Sequence, residues 1–286
     1  MSIKFSQADV FTGVPYQGNP VAVIIDGDQL TDSKMQKIAN WTHLSETTFI
    51  CSPTNPEADY RLRIFTPHEE LPFAGHPTVG SARVALNNGI KPAHEGYLVQ
   101  DCGKGLVKIY IDGDQLSFAL PTPKITSVTD ELNEQVAKAL GLSNTSKVTL
   151  TEMVDVGAIW LTMGLKSAQD VLSLDPQDEQ LVKLLPTGTT GVTVFAPQES
   201  ADSDFEVRSF APVEGVHEDP VCGSGNGAVA ALIKSHHLLN KQKYIAHQGQ
   251  KMGRNGIINV NLNGNNPILV GGQAVECITG QLRHSQ

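Results

Sequence analysis

The chain has 286 residues, 40% hydrophobic, 18% charged and 6% aromatic, a globular composition long enough for one large domain or two small ones. Its 21 Lys and Arg against 30 Asp and Glu leave a formal net charge of −9, which argues against nucleic acid as a partner. No stretch approaches the ~20 apolar residues of a membrane span, the N-terminus lacks a secretory pattern, and four scattered cysteines without a Cys-x-x-Cys pair suit a reduced, cytoplasmic setting.

Strand-like segments rich in β-branched and aromatic residues dominate the first half: 4–11, 20–25, 47–52, 60–66 and 106–111. The second half repeats the character at 148–153, 158–163, 191–197, 204–210 and 257–262. Residues 31–43 and 129–140 each open with Thr-Asp and read as N-capped helices. The segment 120–127, with two prolines, reads as a linker between an N-terminal lobe at 1–120 and a C-terminal lobe at 121–286. Asp175-Pro-Gln-Asp-Glu reads as a solvated turn.

The halves resemble each other. Arg63-x-Phe65-x-Pro67 recurs as Arg208-x-Phe210-x-Pro212, an offset of 145. Further on the offset is 148, so that Glu70 matches Glu218, Pro72 matches Pro220, Gly75 matches Gly223, Ala74 matches Cys222 and His76 matches Ser224. Each copy runs into a stretch of small and aliphatic residues with helical character, 79–88 and 227–237. A period this long does not suggest a solenoid, whose units run to about 20–50 residues. It suggests two similar lobes, each several strands around one apolar helix, an α+β design.

Both repeat loops end at a helix start. Unpaired amides and partial positive charge there suit a carboxylate or phosphate; equally, Gly75, Gly223, Gly225 and Gly227 would serve to cap and pack the helices. Cys-Gly-Ser-Gly-Asn-Gly at 222–227 has neither dinucleotide nor P-loop spacing. Cys222 also occupies the position where a nucleophile elbow needs Gly, which sets aside a serine hydrolase centred on Ser224. His217-Glu218-Asp219 lacks a further ligand at metal spacing. A thiol just before a helix, as at Cys222, is expected to have a depressed pKa. Glu46, between a helix end and an apolar strand, is a capping or surface residue or, if buried, a carboxyl whose pKa is raised toward the range of a general base.

Asp9-Val-Phe-Thr with Gly18-Asn-Pro, Ser45-Glu-Thr, Arg63-x-Phe-Thr-Pro, Phe73-Ala-Gly-His-Pro-Thr and Glu218-Asp-Pro-Val-Cys-Gly-Ser together resemble the PhzF-like phenazine-biosynthesis isomerases over essentially the whole chain. The resemblance implies a diaminopimelate epimerase-like fold of two pseudo-symmetric lobes, each a β-sheet or barrel wrapped around a central helix, with the active site in the cleft between them. It places the catalytic glutamate on Glu46, with His76 and Asp219 beside it in the catalytic set. Gly75, Gly223 and Ser224 would hold a small carboxylate substrate. It also implies a homodimer, and proton movement within a cyclohexadiene amino acid without cofactor or metal. The epimerase relatives use two cysteines; only Cys222 matches one of them, at a position where many family members carry Thr. Two alternatives stand beside the single-glutamate isomerase: an amino-acid epimerase or racemase using Cys222, and a non-catalytic small-molecule-binding protein.

Overall fold

The computed structural model describes residues 2–198 and 202–283. In chain order the elements are β1 (Ser2–Val10), β2 (Asn19–Ile24), α1 (Asp32–Thr42), β3 (Thr47–Cys51), β4 (Tyr60–Phe65), β5 (Glu70–Leu71), α2 (Gly75–Asn87), β6 (Tyr97–Cys102), β7 (Gly105–Asp112) and β8 (Gln115–Ala119). There follow β9 (Lys124–Ser127), α3 (Asp130–Ala139), β10 (Val148–Asp155), β11 (Ile159–Leu165), α4 (Ala168–Leu172), α5 (Asp178–Leu184), β12 (Gly191–Pro197) and β13 (Phe205–Ala211). The last are β14 (Val216–Asp219), α6 (Gly223–Ser235), β15 (Lys243–Gln248), β16 (Gly256–Asn261), β17 (Leu269–Gly272) and β18 (Ala274–Arg283). All ten strand segments and both Thr-capped helices read from the sequence are present. Thr31 and Thr129 each accept a hydrogen bond from the amide three residues on, Lys34 and Leu132.

Two compact units emerge, one of Met1–Ala119 with the segment from Gly271 onward, the other of Leu120–Val270. The sequence reading carried the second lobe to the C-terminus, whereas β18 pairs antiparallel with β1 from Ser2↔Arg283 to Val10↔Ala274 and so goes with the first unit. Strand periodicity cannot announce a partner some 270 residues away. Residues 124–127 of the expected linker form β9 and pair with β10. Asp178 and Glu179, expected in a solvated turn, instead open α5, where acidic residues meet the positive helix end.

The two units share one topology. In the first, β1–β2 is antiparallel, β2–β3 parallel, β3–β4 and β4–β5 antiparallel, β4–β6 parallel and β6–β7 antiparallel. In the second, β10 to β16 repeat that order of parallel and antiparallel pairings. Even register repeats: Thr48↔Ile64 in one unit corresponds to Thr193↔Ser209 in the other. The ion pair repeats as well, Arg63 with Glu70 and Arg208 with Glu218, both bidentate.

Each unit is organised by one 13-residue helix that is buried nearly all round, α2 in the first and α6 in the second. A helix apolar on all faces must be enclosed, and small residues let strands approach it. At Gly80 of α2, a Cβ would stand 2.5 Å from Val21 Cγ1 and 2.8 Å from Val10 Cγ2. The opposite faces of the strands are covered too, by α1 in the first unit and by α3, α4 and α5 in the second. Covering on both sides is why β3 is buried at every position and β12 at every position but its last, with no alternation of buried and exposed residues. Among the described residues no helix is long and apolar enough to cross a membrane.

Candidate active site

In the first unit the chain leaves α1 through His43, whose left-handed conformation turns it back toward the sheet (φ 56°, ψ 29°). Thr42 and Thr47 join hydroxyls at 2.7 Å across that turn, and Thr48 of β3 reaches Ser81 of α2 at 2.8 Å. Residues two apart on an extended chain share a face, about 7 Å apart. Glu46 therefore points to the same side as Thr48, one strand repeat nearer the start of α2. There it meets His76, the second residue of that helix: Glu46 Oε2 lies 3.4 Å from His76 Nε2.

The Glu46 side chain keeps 16% of its surface accessible and that of His76 keeps 7%, but Oε2 of Glu46 itself is buried and makes no hydrogen bond among the described residues. Burial raises the Glu46 carboxyl from the ordinary value to about 7, against a smaller lowering by the Ser45 hydroxyl. Of the two roles the sequence left open, the buried carboxyl is the one the fold provides. Beside it, α2 starts at Gly75 behind Ala74, and no side chain caps it. Ala74 offers no side-chain acceptor to this positive end of the helix. Gly75 also has a packing reason: a Cβ there would stand 2.8 Å from Phe118 Cζ.

The second unit holds Asp219, Cys222, Gly223 and Ser224. Asp219 ends β14, and its Oδ1 accepts the Val221 amide at 3.0 Å. Cys222 is the N-cap of α6, its sulfur accepting the Gly225 amide at 3.3 Å, and Gly223 opens the helix. Here the sequence expectation of an acidified thiol fails. Burial, with Asp219's negative charge adding to it, pushes the Cys222 thiol well above its ordinary range, outweighing the helix N-terminus. Ser224 Oγ accepts the indole N–H of Trp160 at 3.1 Å and lies 3.6 Å from Cys222 Sγ. Nothing local in the sequence marks the Trp160 indole as the partner of a serine 64 residues on.

A cavity of about 530 Å³ opens elsewhere in this unit, between Leu174, Pro176, Arg208, His217, Lys251 and Met252. It is lined by none of the candidate site residues, and Arg208 is already engaged by Glu218 and by the Val171 and Leu174 carbonyls. His217 turns to Asp178 at 2.8 Å.

The repeat is chemically asymmetric where it matters. At the offset of 145, Glu46 corresponds to Gly191, where a Cβ would stand 2.1 Å from the Phe210 carbonyl oxygen and no acid fits. At the offset of 148, Cys222 corresponds to Ala74. One unit carries a buried acid without a counterpart and the other a thiol without one.

A family model described as phenazine biosynthesis-like protein matches residues 8–280. The curated relative Antisense-enhancing sequence 1 of Schizosaccharomyces pombe is 42% identical over 97% of this chain and 98% of its own length. Trans-2,3-dihydro-3-hydroxyanthranilate isomerase of Pseudomonas fluorescens is 33% identical over 86% of this chain and 85% of its own. In fold, the chain is similar to a Bacillus anthracis phenazine biosynthesis protein of the PhzF family, with TM-score 0.87 and 22% identity over 99% of this chain and 100% of that one. A probable proline racemase from Agrobacterium radiobacter follows at TM-score 0.65 and 13% identity, covering 99% and 93%. The match along nearly the whole sequence, with isomerases among the relatives above 30% identity, settles the affiliation: the chain belongs to the phenazine biosynthesis-like family, the PhzF-like isomerases.

Proposed function

We propose that the protein is a cofactor-independent isomerase in which Glu46 alone moves a proton between two carbons of a small unsaturated amino-acid-like carboxylate, of the class named in the trans-2,3-dihydro-3-hydroxyanthranilate isomerases it resembles. The observation that carries this reading is the Glu46 carboxyl, buried against His76 and poised at about 7. A base so poised is ionised enough near neutrality to take a proton, and its conjugate acid is strong enough to return it. The carbon acid loses its proton to Glu46 Oε2 and leaves a conjugated carbanion; the same carboxyl then delivers a proton, after exchange with solvent in part of the turnovers, to a second carbon, so no atom is gained or lost. His76 orients a polar substituent or relays a proton. Asp219 and Ser224 hold polar groups of the substrate, and the first amides of α2 and α6 suit its carboxylate.

The pH dependence follows from the raised carboxyl. As a base in the free enzyme Glu46 must be ionised, so kcat/KM is expected to rise with pH and level off above about 7. A profile flat between pH 5 and 8 would exclude it, whatever the substrate.

The decisive assay is incubation in deuterated water with trans-2,3-dihydro-3-hydroxyanthranilate and, separately, with free amino acids. Deuterium on a ring carbon is expected. Deuterium confined to an amino-acid α-carbon would replace this reading with epimerisation, and neither exchange nor conversion of any substrate would leave a binding protein. The epimerase alternative leans on Cys222, whose raised thiol and Ala74 counterpart speak against it. Cys222→Ala is accordingly expected to leave turnover close to wild type, and a loss as deep as that of a Glu46 variant would reverse the ranking.

A further inference from the structure

Gln248, the last residue of β15, is fully buried and takes no part in the chemistry proposed above. Its amide nevertheless holds both ends of the segment that carries Asp219. Nε2 donates to the Asp219 carbonyl at 2.9 Å, and Oε1 accepts the Cys222 amide at 3.1 Å together with Asn226 Nδ2 at 2.7 Å. Asn226, in the second turn of α6, also donates to the Cys222 carbonyl at 2.9 Å. One side chain thus closes residues 219–222 into a ring and ties that ring to the helix that bears Ser224.

The first unit shows what the same position does without the ring. Gln100 stands at the offset of 148 from Gln248, and Thr78 at the same offset from Asn226. Gln100 is buried as fully, donates to Thr78 Oγ1 at 3.2 Å and accepts the Tyr60 hydroxyl at 3.0 Å. Among the described residues it makes no hydrogen bond to the backbone of residues 71–74. The buried glutamine therefore belongs to the repeat, and its grip on the loop belongs to the second unit.

We infer that Gln248 is a positioning residue of the isomerase, setting the place of the Asp219 carboxylate and of Ser224 through the backbone of residues 219–222. The inference rests on the assignment of Asp219 and Ser224 to the substrate. Freed from Gln248, that segment shifts by a fraction of an ångström or more while β15 and α6 stay packed, and shifts of that size lower turnover steeply. Burying an unpaired Asp219 carbonyl and Cys222 amide also costs stability, so activity has to be read against a matched loss of stability.

The test compares Gln248→Leu, Gln100→Leu, Gln248→Glu and Asp219→Asn, with trans-2,3-dihydro-3-hydroxyanthranilate as the probe for turnover. Thermal midpoints and amide hydrogen exchange are measured on the same samples. Gln248→Leu is expected to lower kcat by roughly a hundredfold and to speed exchange across residues 219–226 more than in the rest of α6. Gln100→Leu is expected to lower the midpoint comparably and leave kcat close to wild type. In Gln248→Glu the protonated acid reproduces one acceptor and one donor, whereas the ionised form repels the Asp219 carbonyl. Its kcat relative to wild type should therefore fall as pH rises. Wild-type-like turnover and exchange in Gln248→Leu, with Asp219→Asn impaired, overturns the inference alone. Equal losses of kcat in Gln248→Leu and Gln100→Leu also overturn it, since stability would then explain both. Near-normal turnover in Asp219→Asn removes the assignment of Asp219 and the inference with it. Unchanged exchange at 219–226 overturns the tether whether or not the probe is turned over.

Discussion

Replacing Glu46 by Gln is expected to stop isomerisation while leaving the fold intact and, at alkaline pH, more stable than wild type. Loss of a general acid–base group lowers rates by about 10²–10⁴-fold, and here one carboxyl is asked to act in both directions, so the upper end applies. Gln is close in size and keeps an acceptor for Ser45, and the position is already a poor one for a charge. The sign of the stability effect follows from the titration. The carboxyl ionises at about 7 in the fold against 4.5 when unperturbed. Below the lower value both states hold the proton and the folded state has its full stability. Between the two, the unfolded chain releases a proton that the folded chain retains, and stability falls as pH rises. Above about 7 the wild type carries a buried carboxylate that costs about 3 kcal/mol, taking 1.36 kcal/mol per pKa unit. Glu46→Gln escapes that cost. Urea unfolding should therefore place it close to wild type at pH 4 and ahead of it at pH 8. Turnover of the variant within tenfold of wild type would sink the single-base reading. A stability difference that did not grow with pH would mean the carboxyl is hydrated, and the mechanism would lose its poised base.

Much of this arrangement can be read from the chain, and the exceptions have identifiable causes. The repeat from Arg63 to His76 and from Arg208 to Ser224 announces two similar units, because identical loops feeding small-residue helices must solve the same packing problem twice. The strands are visible because β-branched and aromatic runs bounded by turn residues leave few alternatives. Pairing partners are not visible, and so nothing in the sequence ties Ala274–Arg283 to the first half, where it pairs with Ser2–Val10. The Cys222 thiol shows the other limit. Position before a helix argues for a low pKa, burial argues for a high one, and the sequence reports position but not depth. Glu46 escaped that limit only through its family motif, since an acid in Ser45-Glu-Thr is as easily a surface cap. Gln100 and Gln248 were legible in principle: carried past the helix, the offset of 148 matches glutamine with glutamine. Their role was not, because it depends on which side-chain and backbone groups fold toward them.

The duplicated Arg–Glu pair yields the second large effect. Arg208 and Glu218 keep 4% and 5% of their side-chain surface, whereas Arg63 and Glu70 keep 14% and 40%. Arg63 has a second partner in Asp32 at 2.5 Å, and Arg208 donates instead to the Val171 and Leu174 carbonyls at the end of α4. Removing one member of a buried pair leaves an uncompensated charge and costs about 3–5 kcal/mol, while an exposed pair is worth about 1 kcal/mol or less. Glu218→Gln should therefore destabilise severely and Glu70→Gln mildly, although the two pairs occupy the same place in the repeat. Glu206 adds a pH dependence. It is fully buried, and its carboxyl is raised to about 7 by burial and by Glu218's charge, against the pull of Arg208. With Glu218 neutralised the repulsion goes and the pull remains, so the Glu206 carboxyl becomes more acidic and at pH 8 stands ionised as a substitute partner for Arg208. Toward pH 5 more of it is protonated and Arg208 keeps less neighbouring negative charge. The deficit of Glu218→Gln measured by urea unfolding should accordingly be larger at pH 5 than at pH 8, and that of Glu70→Gln should change little between them. Equal costs for the two variants would show that burial does not separate the pairs. A deficit for Glu218→Gln that grew toward pH 8 would show that Glu206 does not take its place.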